Sequence, residues 1–584
     1  MENLVPGALL GGSAGADIPK PLAYGLNAPI RTKIGNTSAV GNPGIGFTAQ
    51  DINGLLSGSA WDTHSITYSF PASAANYGSG YGAGEPMKGF HALSSAQQSV
   101  VRYALNLISQ YTLLTFTQIT ESNTTHAMIR FGDSAVPPTS WTYLPSASKE
   151  GGDVWLGNIA NVVPTKGSYA YVSILHEIGH ALGLKHGQES DGKHGVLPAG
   201  HDSGEWSVMD YHSYLGSGLT YTNAAGSGNR TYMIDDIAAL QSMYGANYST
   251  NAGNTTYSWS PTTGEMFING VGQGASTANK IYEAIWDGGG TDTYDLSNYK
   301  TNLSIDLRPG AWSTFSTAQL ADLGIVPGAH LAHGNVDNTY LYNNDPRSLI
   351  ENAIGGTGND TLVGNQADNT LSGNAGNDSL TGNEGNDTLL GGPGNDTVEG
   401  GPGNDSMDGG DGVDTLSYAN ATGGITANLT LQGSPQDTGA AGTDTFFNFE
   451  NLTGSAYNDS LAGSPGPNVL TGLGGNDVLN GGPGSDSLTG NQGADTFYFN
   501  AGFGTDAVTD FTATGSGHDV IDFAATLFPN YATLSSQMTQ VGSAVVITYD
   551  GSDTVTLIGV KLASLSAADF NFHGAAANAQ IHIA

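Results

Sequence analysis

The sequence predicts a multidomain fold: an α+β domain, then an all-β parallel β-roll, then a β-rich C-terminal region. Three observations predict it. The chain has 584 residues, more than one hydrophobic core can serve. Glycine is the commonest residue, with 86 copies, and charged residues are only 12%, a mixture suited to tight turns rather than helices. A nine-residue period governs much of the second half.

Residues 1–45 are rich in Gly, Ala, Pro and Asn without periodicity and read as a flexible leader or pro-segment. Residues 46–246 carry the helical signals. Ser94 caps a predicted helix running through Gln97, Val101, Leu105 and Ile108. A second covers Tyr171 to Leu182, and a third begins at Asp235–Asp236, whose charges suit a helix N-terminus. Ile66–Phe70 and Met128–Phe131 alternate as strands. From 247 onward turns and β-branched residues take over: 247–350 reads as a β-rich junction region.

Read every ninth residue, the sequence gives Asp360, Asn369, Asp378, Asp387, Asp396, Asp405 and Asp414, then Asp459, Asn468, Asp477, Asp486 and Asp495. These define repeat blocks 351–414 and 459–495, separated by an inserted segment 415–458 and followed by a β-rich cap, 496–584. Each unit is a six-residue turn and a three-residue strand with one apolar residue facing a thin core. The turn glycines (Gly356, Gly358, Gly376, Gly385, Gly392, Gly394, Gly401, Gly403, Gly482 and Gly484) present carbonyls inward, and the Asp adds a carboxylate. Stacked turns form a cage of hard oxygen ligands suited to several structural calcium ions, in a right-handed parallel β-roll. Asn369 and Asn468 break the carboxylate series and mark weaker sites. Without calcium the Asp residues repel, so folding of this part is expected to depend on the ion.

With 52 acidic and 16 basic residues, the net charge of −36 excludes nucleic acid and anionic membrane surfaces as partners. There is no cysteine, so no disulfide supports the fold and no thiolate holds a metal. No run is long and apolar enough to insert in a membrane, and the N-terminus lacks the basic start of a cleaved signal peptide.

The chemistry concentrates at His176-Glu177-Ile178-Gly179-His180, followed by Gly183 and His186. On a helix His176 and His180 share a face. Gly183 ends the helix in a left-handed turn, and the returning chain brings His186 as a third ligand. Three imidazoles leave one zinc ion an open position, the catalytic arrangement, and Glu177 sits beside them as general base. Met209 follows, with Tyr211 two residues on; alone each reads as an ordinary core or structural residue, but in this place Met209 resembles the turn that metzincins set beneath the zinc. His64, His91, His126, His194, His201 and His212 lack ligand spacing and read as surface or loop residues.

With these motifs the chain resembles the serralysin family, metzincin zinc endopeptidases bearing calcium-binding nonapeptide repeats. Asn53–Gly58, Gly151–Trp155, Asp235–Leu240, Tyr244–Asn247 and Ile285–Thr293 carry the likeness further. The resemblance implies a metzincin-like protease domain with zinc on His176, His180 and His186, Glu177 as base, and Tyr211 as a displaceable ligand that steadies the oxyanion. It implies calcium on Asn251, Gly253, Thr255, Asp287, Gly289, Asp292 and Glu351 near the domain junction. It implies a secreted, extracellular monomer acting on protein or peptide substrates, exported by type I-like secretion machinery that reads the C-terminus. The chain departs from the family in several places: Asp210 stands where Ser is usual, Asn251 and Ala252 where Arg-Thr is common, the 415–458 insertion precedes a second repeat block, and Gln580–Ala584 lacks the acidic and apolar ending. Extended substrate is expected beside the metal along an edge strand, assigned to Thr139–Leu144.

Overall fold

The computed structural model describes residues 30, 31, 44 and 46–574 except 123, 136–138 and 158–161. The predicted leader and the extreme C-terminus therefore lie almost wholly outside the described residues. Among those described, strands far outnumber helices, and most strands pair in parallel. The chain divides into two compact units, one of residues 1–298 and 306–350, the other of 299–305 and 351–584.

Four helices serve the first unit. A short α1, Ala49–Asn53, was not foreseen. Helix α2, Ser95–Tyr111, starts at Ser94 in a capping box with Gln97 and buries Val101, Leu105 and Ile108. Helix α3, Tyr169–Ala181, is capped by Ser168, whose side chain accepts from the Tyr171 amide at 3.3 Å. Its buried residues include Ile174, Leu175 and Ile178. Helix α4, Ile234–Tyr244, places Asp235 and Asp236 in its first turn.

Five strands form the sheet beside these helices: β1 (Ser65–Ser69), β2 (Thr115–Gln118), β3 (Ile129–Gly132), β4 (Trp141–Thr142) and β5 (Val154–Trp155), in the order β2-β1-β3-β5-β4. All pairs are parallel except β5–β4, so β4 is an antiparallel edge strand within the predicted Thr139–Leu144 segment. The buried Asp153 clamps β3, accepting from the Arg130 amide at 2.9 Å and lying 2.6 Å from Arg130 Nη2. Residues beyond 246 share the core: Tyr282, Trp286 and Leu323 join Leu175, Ile178 and Met209.

In the second unit the nine-residue period becomes an eighteen-residue coil. Thr361–Val363 pairs in parallel with Ser379–Thr381, and that strand with Thr397–Glu399, while Thr370–Ser372 pairs with Thr388–Pro393. Successive repeats thus alternate between two sheets. The single apolar residues, Leu362, Leu371, Leu380, Leu389 and Val398, are at most 1% exposed and fill the thin interior. The inserted segment leaves the stack unbroken: Thr415–Ser417 pairs onward with Asn451–Thr453, and Ser406–Asp411 with Thr443–Phe447.

Candidate metal centre and repeat ladder

Helix α3 carries His176, Glu177 and His180, and one turn of backbone brings His186 to them. Gly183 makes that turn at φ +107°, where a Cβ would stand 2.2 Å from the Ser59 carbonyl oxygen. The chain then runs antiparallel to the segment after α1: the Leu184 and Leu56 backbones bridge, and the Lys185 amide donates to Leu55 O at 2.8 Å. Lys185 Nζ is half-enclosed by the carbonyls of Glu189 at 2.6 Å and Gly195 at 2.9 Å, which fixes the loop behind His186.

The three imidazoles converge. His186 Nε2 lies 3.2 Å from His176 Nε2 and 3.0 Å from His180 Nε2. Tetrahedral bonds of ~2.0–2.1 Å to one zinc would separate nitrogens by about 3.3 Å, so the set fits the ion. Each outer nitrogen faces an acceptor: His176 Nδ1 the Val208 carbonyl at 2.8 Å, His180 Nδ1 the Leu184 carbonyl at 2.8 Å, and His186 Nδ1 the Glu189 carboxylate at 3.0 Å. The two carbonyls fix the protons of His176 and His180 on Nδ1 and turn their Nε2 lone pairs to the common point, while His186 Nδ1 lies near the Glu189 carboxylate without a hydrogen bond. Burial, then the neighbouring His186, pushes His176 down to about 3, and the same causes hold His180 well below its ordinary value. Both rings are neutral, the form that ligates a metal.

Glu177 follows His176 on α3 and reaches the edge strand β4. It is 5% exposed, and burial pushes its carboxyl up to about 8. Thr142 on the edge strand β4 donates its hydroxyl to Glu177 Oε2 at 2.7 Å. Tyr211 Oη lies 2.8 Å from His186 Nε2, at the mouth of the cluster, and burial pushes the phenol above its ordinary range.

Met209 is fully buried beneath α3. A Cβ on Gly179 would stand 2.5 Å from Met209 Sδ, so only glycine at 179 lets the methionine turn sit this close. The turn hangs on Asp236, which accepts from Ser207 Oγ at 2.6 Å and the Val208 amide at 2.8 Å. Sequence reasoning gave Asp236 only a helix-end role, and it missed Thr142. No sequence spacing marks either residue, because both act across distant elements.

Of the seven residues expected to take calcium near the junction, the first unit gathers six. Thr255 Oγ1 donates to Gly253 O at 2.8 Å, the Thr255 amide to Asp292 Oδ1 at 2.7 Å, and the Gly289 amide to Asp287 Oδ1 at 2.8 Å, with Asn251 at φ +50°. Glu351 belongs to the second unit.

The repeat aspartates form ladders. Asp378, Asp387 and Asp396 each accept through Oδ1 from the amide of the residue eighteen positions earlier, at 2.7 Å. Their Oδ2 atoms, with those of Asp405, Asp414, Asp477, Asp486 and Asp495, are buried without a hydrogen-bond partner among the described residues. Each aims into a space where glycine backbone closes in: a Cβ on Gly382 would lie 2.1 Å from Asp387 Oδ2 and 2.5 Å from Gly400 O. Orphaned carboxylate oxygen beside packed carbonyls fits calcium. Asp360 and Asp459 differ, since backbone amides engage both of their oxygens. Asp444, Asp506 and Asp519 extend the ladders, accepting from the amides of Asp405, Asp486 and Asp495. They were missed because their spacings of 39, 20 and 24 residues leave the nine-residue phase. Their local Asp-x-apolar pattern was the available signal.

The model of the family described as Peptidase M10 serralysin C terminal matches residues 246–582. The chain belongs to that family. Among curated relatives, this serralysin-type chain is 30% identical to serralysin A of Dickeya chrysanthemi over 284 residues, covering 47% of the chain and 54% of the relative. It is 30% identical to metallopeptidase AprA of Pseudomonas marginalis over 313 residues, covering 51% and 59%. A serralysin C of Dickeya chrysanthemi is 34% identical over 291 residues, covering 47% and 54%. The serralysin-type chain thus spans between half and two thirds of the length of these relatives. No helix among its described residues is long and apolar enough to cross a membrane.

Proposed function

We propose that the chain is a secreted zinc-dependent endopeptidase with a metzincin-like catalytic unit, whose repeat unit folds around calcium. The observation that carries this is the meeting of His186 Nε2 with His176 Nε2 and His180 Nε2, at 3.2 and 3.0 Å, on the helix that also carries the buried Glu177. A zinc ion held there supplies Lewis acidity toward water and the scissile carbonyl. Glu177 takes a proton from the attacking water and returns it to the leaving amide nitrogen. Thr142 holds the carboxylate in place. Tyr211, whose phenol stays protonated, donates to the oxyanion that forms as water adds to the carbonyl. The unpaired edge of β4 takes an extended peptide by main-chain hydrogen bonds and aligns it across α3. Names borne by relatives, serralysin and metallopeptidase, support the same reaction class.

Zymography on casein with zinc and calcium present is expected to give a cleared band at the chain's mass, lost with a zinc chelator. No band under any metal condition would favour a calcium-dependent surface protein instead.

A further inference from the structure

Away from the three-histidine centre, Asp51, His201 and Asp235 meet in the interior of the first unit. Asp51 sits in the first turn of α1, Asp235 in the first turn of α4, and His201 in the loop ahead of Met209. His201, read from the sequence as a surface or loop residue, lies in the loop but is only 8% exposed, and it stacks on Trp206 at 4.1 Å. Each of the three residues offers one ligating atom, and these atoms lie within 4.8 Å of one another.

Acceptors outnumber donors at this point. His201 Nδ1 lies 3.0 Å from Asp235 Oδ2 and 3.2 Å from Asp51 Oδ1, and a single N–H can serve one of them. Among the described residues Asp51 Oδ1 and Asp235 Oδ1 have no hydrogen-bond partner, nor does either oxygen of Asp337 or the hydroxyl of Tyr340. Asp51, Asp235 and Asp337 are fully buried. Asp337 feels the charge of Asp235, and Tyr340 that of all three carboxylates. One imidazole cannot neutralise this set, and an apolar interior does not hold unpaired charge.

We infer that Asp51, His201 and Asp235 hold a second divalent transition-metal ion, separate from the three-histidine centre. One imidazole nitrogen with carboxylate oxygens suits zinc or manganese better than calcium, which prefers oxygen alone. The ion is structural, since its ligands are closed off from solvent. It fastens α1, the loop 198–206 and α4 together. Asp236, next to Asp235, holds the Met209 turn, so the ion stiffens the floor of the three-histidine centre.

The test is metal analysis of the full chain equilibrated with zinc chloride and desalted, with anomalous diffraction at the zinc edge. Wild-type crystals are expected to show a peak between Asp51, His201 and Asp235. His201→Gln and Asp51→Asn are each expected to bind one zinc fewer than wild type. His176→Ala is expected to lose the other zinc and keep this one, which separates the inference from the proteolytic reading. No anomalous peak at the trio, with manganese chloride giving none either, overturns it and leaves an imidazolium between carboxylates. The wild-type map decides even where a variant fails to fold.

Discussion

Glu177 and Gly179 lie two residues apart on α3 and answer to different constraints. Under the proposed mechanism Glu177 is a chemical requirement, and its carboxyl is buried and held by Thr142. Glu177→Gln keeps the shape and the three imidazoles but cannot accept a proton. Its kcat/KM on a peptide substrate is expected to fall by roughly 10²–10⁴ while zinc content stays unchanged. Gly179 is a packing requirement, because Met209 Sδ occupies the place of its Cβ. Gly179→Ala overpacks the methionine turn and is expected to cost about 1–3 kcal/mol, read as a lower denaturation midpoint by urea titration. That His176 and His180 share a face was legible from spacing, since helical geometry places residues four apart on one face. Thr142 and Asp236 were not, because their partners lie on elements that only tertiary packing brings near.

At the scale of the element, the informative comparison is between the Asp and Asn repeats. Asn369 accepts from the Asn365 amide at 2.7 Å through Oδ1 and donates through Nδ2 to Glu351 O at 2.8 Å. Asn468 does the same with the Ser464 amide at 2.8 Å and the Glu450 carbonyl. Each amide satisfies itself where an Asp leaves an oxygen bare. Asn369 and Asn468 thus present no unpartnered side-chain oxygen among the described residues. Asn369→Asp loses the Nδ2 donor and gains a buried, unpaired carboxylate. It is expected to cost about 1–3 kcal/mol in calcium-free buffer and to regain part of that when calcium is added, measured by thermal melts across a calcium series. The nine-residue phase predicted the strands and their apolar residues well, because one buried side chain per turn is the only core such a coil can build. It failed across the insertion, where Asp444 carries on a ladder that its chain spacing hides.

The whole molecule is an acidic chain whose second unit stores carboxylates in pairs of stacked turns. Burial first, and neighbouring carboxylates second, push Asp387 and Asp405 up to about 7 and Asp378 and Asp396 to about 6, from the ordinary 3.8. A carboxyl whose affinity for protons rises on folding stabilises the fold below the unfolded value, and that contribution is lost as pH rises through the folded one. In chelator, the repeat unit is therefore expected to gain β structure as pH falls from 8 to 5, by far-UV circular dichroism. With calcium in place of the protons, the pH dependence across that window should flatten. The contrast between a helix-bearing first half and a strand-rich second half was readable from composition, although the second unit also carries a short helix, Tyr531–Ser535. The joining of residues 247–298 and 306–350 to the first unit was not, since their turns and short strands look like those of the repeats, and only the shared core around Tyr282 and Trp286 assigns them.

The central claim is that three imidazoles and Glu177 gather one zinc ion to cleave peptide bonds. It is tested most directly by single-turnover hydrolysis of a peptide library beside zinc analysis of the same samples, for wild type, Glu177→Gln and His180→Ala. Cleavage by wild type, full zinc content without cleavage in Glu177→Gln, and one zinc fewer without cleavage in His180→Ala is the predicted result. Undiminished cleavage by Glu177→Gln, or by His180→Ala lacking that zinc, would contradict it.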